Sequence, residues 1–235
     1  MKASAELIAD LWCSGIKNSQ ATLGVTSQRR VRSAALPLAR RYRSDRVFSM
    51  RRLNALFATD TLFSDVKSLN QNRCAKVFSQ NVGFNVTYTM ILLTEDYLGY
   101  LYRDFCHDFE IPEHLKFDGY SLQARRNTLF MKTLRKYDTQ YHVSIPCRPN
   151  DNPTEGSIRE LKKRWYCIMH KNKNPERLWD HRMACISETG NLSVTSSCYA
   201  SGRTPLKYIT RETPTSVNIW TLHFMIGLLI KKTMD

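Results

Sequence analysis

Three carboxylates, Asp60, Asp118 and Glu155, stand where metal-assisted phosphoryl transfer would need them. Asp60 lies inside the apolar run Leu53 to Phe63, where an unpaired carboxylate would be costly to bury. Asp118 follows the stretch Leu115-Lys116-Phe117 and precedes Gly119. Glu155 opens a long amphipathic segment after Asn152-Pro153-Thr154. Singly, each has an ordinary explanation: an edge-strand polar residue, a turn signal, a helix cap. Brought together, two strand ends and a helix start would crowd three anions, and divalent cations relieve such crowding. The chemistry would be displacement at phosphorus on a nucleic-acid backbone.

The elements that must position these groups can be read from periodicity and breakers. Residues 5–16 predict a short helix, 17–34 a polar, basic connection, and Ala34 to Arg43 a further helix despite Pro37. Leu53–Phe63, Cys74–Ser79 and Phe84–Leu93 read as strands joined by short turn-rich links, which favours an antiparallel meander. Thr94 caps a helix to Phe109, with Glu95 and Asp96 in its first turn and Tyr97, Leu98, Leu101, Tyr102, Phe105 and Phe109 at core spacing. A break at Pro112, a strand over 115–117, a helix over Asn127–Tyr137 and a strand over Gln140–Ile145 follow. After a loop carrying Pro146, Pro149 and Pro153 comes a long helix, 153–171, then helices near Pro175–Glu188 and Pro205–Arg211. This order, β-β-β-α-β-α-β-α, predicts an α/β fold: a mixed five-stranded sheet with helices on both faces.

The long helix separates its residues by task. Ile158, Leu161, Trp165 and Ile168 form an apolar seam, while Glu155, Arg159, Lys162 and Tyr166 share an adjoining side in steps of four, three and four. A carboxylate at the helix mouth with two cations behind it could hold a metal and grip neighbouring phosphates.

Charge narrows the partner. The 235 residues carry 35 Lys and Arg against 21 Asp and Glu, a net charge of +14, which favours a polyanion, nucleic acid ahead of an acidic membrane. Residues 1–52 hold 11 basic and 3 acidic side chains, with arginines clustered as Arg29, Arg30, Arg32 and as Arg40, Arg41, Arg43. Guanidinium forks suit phosphate oxygens. The organisation expected is a basic segment 1–52, a core domain 53–213 and an apolar tail 214–235. The tail's run from Val217 to Ile230, about 14 residues, is short of the roughly 20 that span a bilayer. Seven cysteines without a Cys-x-x-Cys pair suggest free thiols in a reducing, intracellular compartment. Cys167, His170, His181 and Cys185 can be written as a zinc pattern, but it crosses two helices broken near Pro175 and zinc is disfavoured.

Thr59-Asp60-Thr61, Phe117-Asp118-Gly119 and Pro149-Asn150-Asp151-Asn152-Pro153-Thr154-Glu155 together resemble the Asp, Asp and Glu motifs of retroviral and LTR-retrotransposon integrases. In that family the last segment reads broadly Pro-x-x-Asn-Gly-x-x-Glu. Trp179-Asp180 and Gly202-Arg203-Thr204-Pro205-Leu206 look like elements that follow the core in retrotransposon polyproteins. The resemblance implies an RNase H-like core, with Asp60, Asp118 and Glu155 as catalytic residues and ligands of two Mg2+ or Mn2+ ions. It implies 3′-end trimming and strand transfer on DNA, a nuclear setting, homo-oligomers and no small-molecule substrate. Asn152, Arg159 and Lys162 match DNA-contacting positions. The chain departs from the pattern at Pro153, where the family has Gly, and at Gly119-Tyr120, where it has Asn-Gly. The amino-terminal His-His-Cys-Cys module is not found either. A fragment or decaying copy is therefore expected, and two alternatives remain open: a non-catalytic nucleic-acid-binding remnant and an RNase H-type nuclease.

Overall fold

The computed structural model describes residues 4–26, 52–118, 128–144, 153–194, 202–211 and 213–214. Its strands are β1 (Arg52–Phe63), β2 (Cys74–Gln80), β3 (Phe84–Met90), β4 (Ile111–Asp118) and β5 (Gln140–Ser144), arranged as one sheet in the order β3-β2-β1-β4-β5. β2 and β3 form an antiparallel hairpin from Cys74 opposite Met90 to Gln80 opposite Phe84. Gly83, at φ 85, makes the turn, a conformation that a side chain would resist. β4 runs parallel to both β1 and β5. Parallel neighbours need a crossover, and the helices α3 (Glu95–Phe109) and α4 (Leu129–Lys136) fall in those connections. The mixed five-stranded α/β fold is thus as the element order predicts.

Several boundaries differ from the sequence reading, each for a physical reason. The strand expected at 115–117 starts at Ile111, and Pro112 lies within it, opposite Leu53. The β1–β4 register shifts between Leu53 and Leu56, an irregularity beside which a residue lacking an N–H is tolerated. The supposed connection 17–34 is helical over Ile16–Val25 (α2). Its buried side consists of Ser19 and Thr22, whose hydroxyls donate to the carbonyls of Gly15 (3.2 Å) and Asn18 (2.7 Å), so no apolar period marks it. The first helix, α1 (Ala5–Trp12), stops earlier because Cys13 turns left-handed at φ 48. The strand expected to reach Leu93 ends at Met90, and the helix near 175–188 is a 3-10 turn (Glu176–Leu178) leading into α6 (Trp179–Leu192). The helix expected at Ala34–Arg43 and the tail 217–230 lie outside the described residues.

The chain divides into two compact units. The first comprises Met1–Arg29, Asp60–Leu92 and Pro153–Asp235. Its core joins Leu62 of β1 and Ala75 and Val77 of β2 to Leu161 and Ile168 of α5 (Pro153–Lys171) and to Trp179, Met183 and Ile186 of α6. Ile158 and Trp165 pack against it, so the predicted seam of α5 is the seam in use. Polar ties fix α6 on β3: the Asn191 side chain accepts from Asn85 N and donates to Asn85 O, both at 2.7 Å, and Thr87 and Ser187 share a hydroxyl bond of 2.5 Å. A smaller cluster sets Ile8 and Trp12 of α1 against Leu192, with Leu23 and, from α7 (Pro205–Thr210), Leu206. Among the described residues no helix is long and apolar enough to cross a membrane.

The second unit comprises Arg30–Thr59 and Leu93–Asn152. Aromatic edges lock its helices to its strands: Phe57 meets Phe105 of α3 at 5.2 Å, and Phe117 meets Phe130 of α4 at 5.3 Å between centroids. The buried Tyr102 hydroxyl bonds that of Thr139 at 2.6 Å. Thr94 caps α3 by accepting from Tyr97 N, as its sequence predicts. α3 and α4 approach so closely that a Cβ on Gly99 would lie 2.8 Å from the backbone carbonyl carbon of Leu129 and 2.6 Å from its Cγ. Backbone cannot step aside cheaply, so Gly99→Ala is expected to lower stability by about 1–3 kcal/mol. Urea unfolding of the two proteins at one temperature checks this; coincident midpoints would contradict the close packing.

Candidate nucleic-acid-processing site

Asp60 is half-buried in β1 and accepts the Thr61 N–H at Oδ1 (2.7 Å). Side chains alternate along a strand, so Asp60 takes the side used by Leu62, the side on which α5 and α6 pack in the first unit. Thr61 takes the other, where its hydroxyl accepts from the ammonium of the buried Lys76 at 3.2 Å.

Asp118 ends β4 and is half-buried. The preceding residue, Phe117, faces α4, so Asp118 turns away from that helix, together with Lys116 and His114. Thr59 of β1 pairs in parallel with Phe117, and each is followed by its aspartate. Lys116 was not singled out in the sequence. Its signal is the alternation His114-Leu115-Lys116-Phe117-Asp118, which sets a cation and an imidazole on the aspartate's side.

Glu155 occupies the first turn of α5, half-buried. The start of that helix is pinned by Thr154, fully buried, which accepts a hydrogen bond from the Ser79 hydroxyl of β2 at 2.9 Å. The Thr154–Ser79 bond was also missed, since nothing in the sequence connects the two residues. Arg159, Lys162 and Tyr166 are exposed, on the side of α5 away from its seam. Asn152, and Arg29, Arg30, Arg32, Arg40, Arg41 and Arg43, lie outside the described residues.

Carboxylate oxygens are hard donors suited to Mg2+ or Mn2+, so the three residues fit such ions in donor type. Among the described residues no three His, Cys, Asp or Glu side chains form a group able to hold a metal ion. In the zinc pattern, Cys167 is exposed on α5, whereas Cys185 is buried on α6, where desolvation pushes its thiol up to about 11.

A fourth carboxylate clarifies what a structural acid looks like here. Asp180 of α6 is buried and accepts from the Asn72 amide at 2.9 Å and from His181 N at 2.8 Å. Asp60, Asp118 and Glu155 lack such seclusion: each keeps contact with solvent.

No protein-family model and no curated protein sequence matches the chain. Solved structures match in fold. The simian T-cell lymphotropic virus intasome, in complex with PP2A regulatory subunit B56 gamma, aligns at a TM-score of 0.56 and 15% identity, over 89% of this chain and 73% of that one. The HTLV-2 integrase catalytic core domain in complex with magnesium, in its dimeric form, aligns at 0.51 and 14%, over 68% and 97%. A catalytic core domain of BIV integrase aligns at 0.48 and 12%, over 67% and 95%. The fold is that of retroviral integrase catalytic cores, an integrase-like α/β core.

Two measurements separate structural from chemical residues. Asp180→Ala strands buried amide donors and is expected to cost about 1–3 kcal/mol of stability. Asp60→Asn, Asp118→Asn and Glu155→Gln should stay within about 0.5 kcal/mol of the parent or gain; a large loss in thermal unfolding would make them structural instead. Alkylation of the native protein at mildly alkaline pH should mark exposed Cys13 and Cys167 first. Cys106, whose thiol burial pushes up to about 12, and Cys185 should resist until the chain unfolds. Peptide mass spectrometry reads the order, and early labelling of Cys185 would contradict its burial.

Proposed function

We propose that the 53–213 core acts on DNA as an integrase-type polynucleotidyl transferase, with Asp60, Asp118 and Glu155 converging on two divalent cations. The observation that supports this most is the parallel pairing of Thr59 with Phe117, after which both strands continue into aspartates. Glu155, on a helix start pinned to β2, would complete the set. Similarity in fold to an integrase core with magnesium, in dimeric form, and to an intasome supports magnesium, DNA and a homo-oligomer for this chain too.

The residues divide the work. Asp60, Asp118 and Glu155 would hold Mg2+ or Mn2+, which supplies Lewis acidity toward the attacking hydroxyl and the departing oxygen. Arg159 and Lys162, one and two turns along α5, grip phosphates next to the scissile one, and Asn152 supplies a polar contact before the helix. The arginines of residues 1–52 hold the flanking backbone by counterion release. Water attacks phosphorus in 3′-end trimming, and the freed 3′-hydroxyl oxygen attacks in strand transfer. One P–O bond forms as another breaks in line, so no external energy source is needed. With such a substrate the protein would act in the nucleus, and the resemblance of Trp179-Asp180 and of 202–206 to retrotransposon polyproteins supports a transposable element as its source.

One observation favours a second reading. Pro153 rigidly opens α5 at the position where the resembled family has Gly. A remnant that binds nucleic acid without chemistry would share this feature. Labelled duplex ends incubated with Mg2+ or Mn2+ distinguish the readings. Nicking or strand transfer is expected, falling by at least about a hundredfold in Asp118→Asn and in Glu155→Gln. DNA retention with no metal-dependent product would establish the remnant, and preferential cutting of the RNA strand of a hybrid would establish an RNase H-type nuclease.

A further inference from the structure

The outward side of α5 does not end with the residues used above. Helical spacing carries Arg159, Lys162, Tyr166 and His170 along one line, opposite the buried seam of Leu161 and Ile168. Tyr166 is 65% exposed, and its ring stacks on that of His170 at 6.1 Å between centroids and 24° between planes. Both rings therefore present an aromatic surface to solvent, directly beyond two exposed cations. Glu160, the nearby acid of the helix, is paired with Lys163 at 2.7 Å. From Arg159 to His170 the track runs about 16 Å, the length of about five stacked nucleotides.

We infer that this track binds an unpaired DNA strand, Arg159 and Lys162 on its phosphates and the Tyr166–His170 pair under a base. Charge selects the partner, since the chain carries +14 and the track holds no acid past Glu155. The exposed aromatic pair selects strandedness. In a duplex the base faces are stacked on each other, whereas an unpaired base can lie on a phenol ring. The inference rests on the nucleic-acid reading above and extends it from phosphate contact to base contact with an unpaired strand.

Fluorescence anisotropy of the full chain with a labelled single-stranded oligonucleotide and the matching blunt duplex, in EDTA, tests it. Tyr166→Ala should weaken single-strand binding about tenfold and leave duplex binding nearly unchanged, while Tyr166→Phe retains both. Arg159→Ala combined with Lys162→Ala should flatten the salt dependence for both ligands. Single-strand affinity unaltered in Tyr166→Ala, or lost equally for the duplex, overturns the inference and leaves the wider reading standing. Failure of the parent chain to bind either oligonucleotide overturns both. Binding to anionic vesicles that depends on Tyr166, with oligonucleotide binding indifferent to it, assigns the track to a membrane surface and overturns the inference as well.

Discussion

Parallel pairing of β1 with β4 is the constraint from which the candidate chemistry descends. A parallel register fixes which residues stand side by side and which side of the sheet each one faces. With Thr59 opposite Phe117, the next residue on each strand is an aspartate. A slip of one residue would send the Asp118 carboxylate toward α4 and bring Phe117 out of its aromatic contact with Phe130. The register is therefore protected by hydrophobic energy that the aspartates themselves do not supply. Phe57 against Phe105 and Phe117 against Phe130 each bury a large ring, at roughly 1.5–3 kcal/mol apiece. The acids inherit their direction from these neighbours.

α5 applies the same logic to a helix. Its seam of Leu161 and Ile168 is spent on the core with Ala75 and Val77, and this fixes the rotation of the helix about its axis. The Thr154–Ser79 bond then fixes its start. Glu155, Arg159, Lys162, Tyr166 and His170 need no contacts of their own to be aimed, because the opposite side of the cylinder is already committed. A site on a packed helix is held more accurately than one on a loop. Asp180 shows the contrast, an acid whose bonds to Asn72 and His181 contribute to the fold itself.

Much of this was legible in the chain wherever burial is apolar. Short turn-rich links exposed the β2–β3 hairpin, and the 3.6-residue period exposed α3, α4 and the seam of α5. Legibility failed where burial is polar or where tertiary contacts override local signals. α2 buries hydroxyls rather than methyls, so its Ser19 and Thr22 read as a linker. Pro112 signals a break, yet it sits within β4 beside an irregular register. α6 continues past Glu188 because the Asn191 side chain is needed on the Asn85 backbone, a requirement visible only once β3 lies next to it. The candidate acids were legible by type and by their place at strand and helix ends. Their assembly was not, since it depends on side-chain directions that no spacing encodes.

Charge and geometry act over different ranges, which explains why a strongly basic chain also needs a built helix face. Attraction between a +14 protein and a polyanion is screened beyond about 8 Å at physiological salt and does not distinguish one phosphate from the next. In the proposed reading, the arginines of residues 1–52 would raise encounter and retention along any backbone. Selecting a particular phosphodiester requires donors whose spacing is set before the nucleic acid arrives. α5 provides that spacing, with steps of three and four residues between Arg159, Lys162 and Tyr166 on a cylinder held by its seam. Adding arginines to the amino-terminal segment would tighten association without improving placement. Disturbing the seam at Leu161 would do the reverse, keeping the charge while moving every contact that the helix directs.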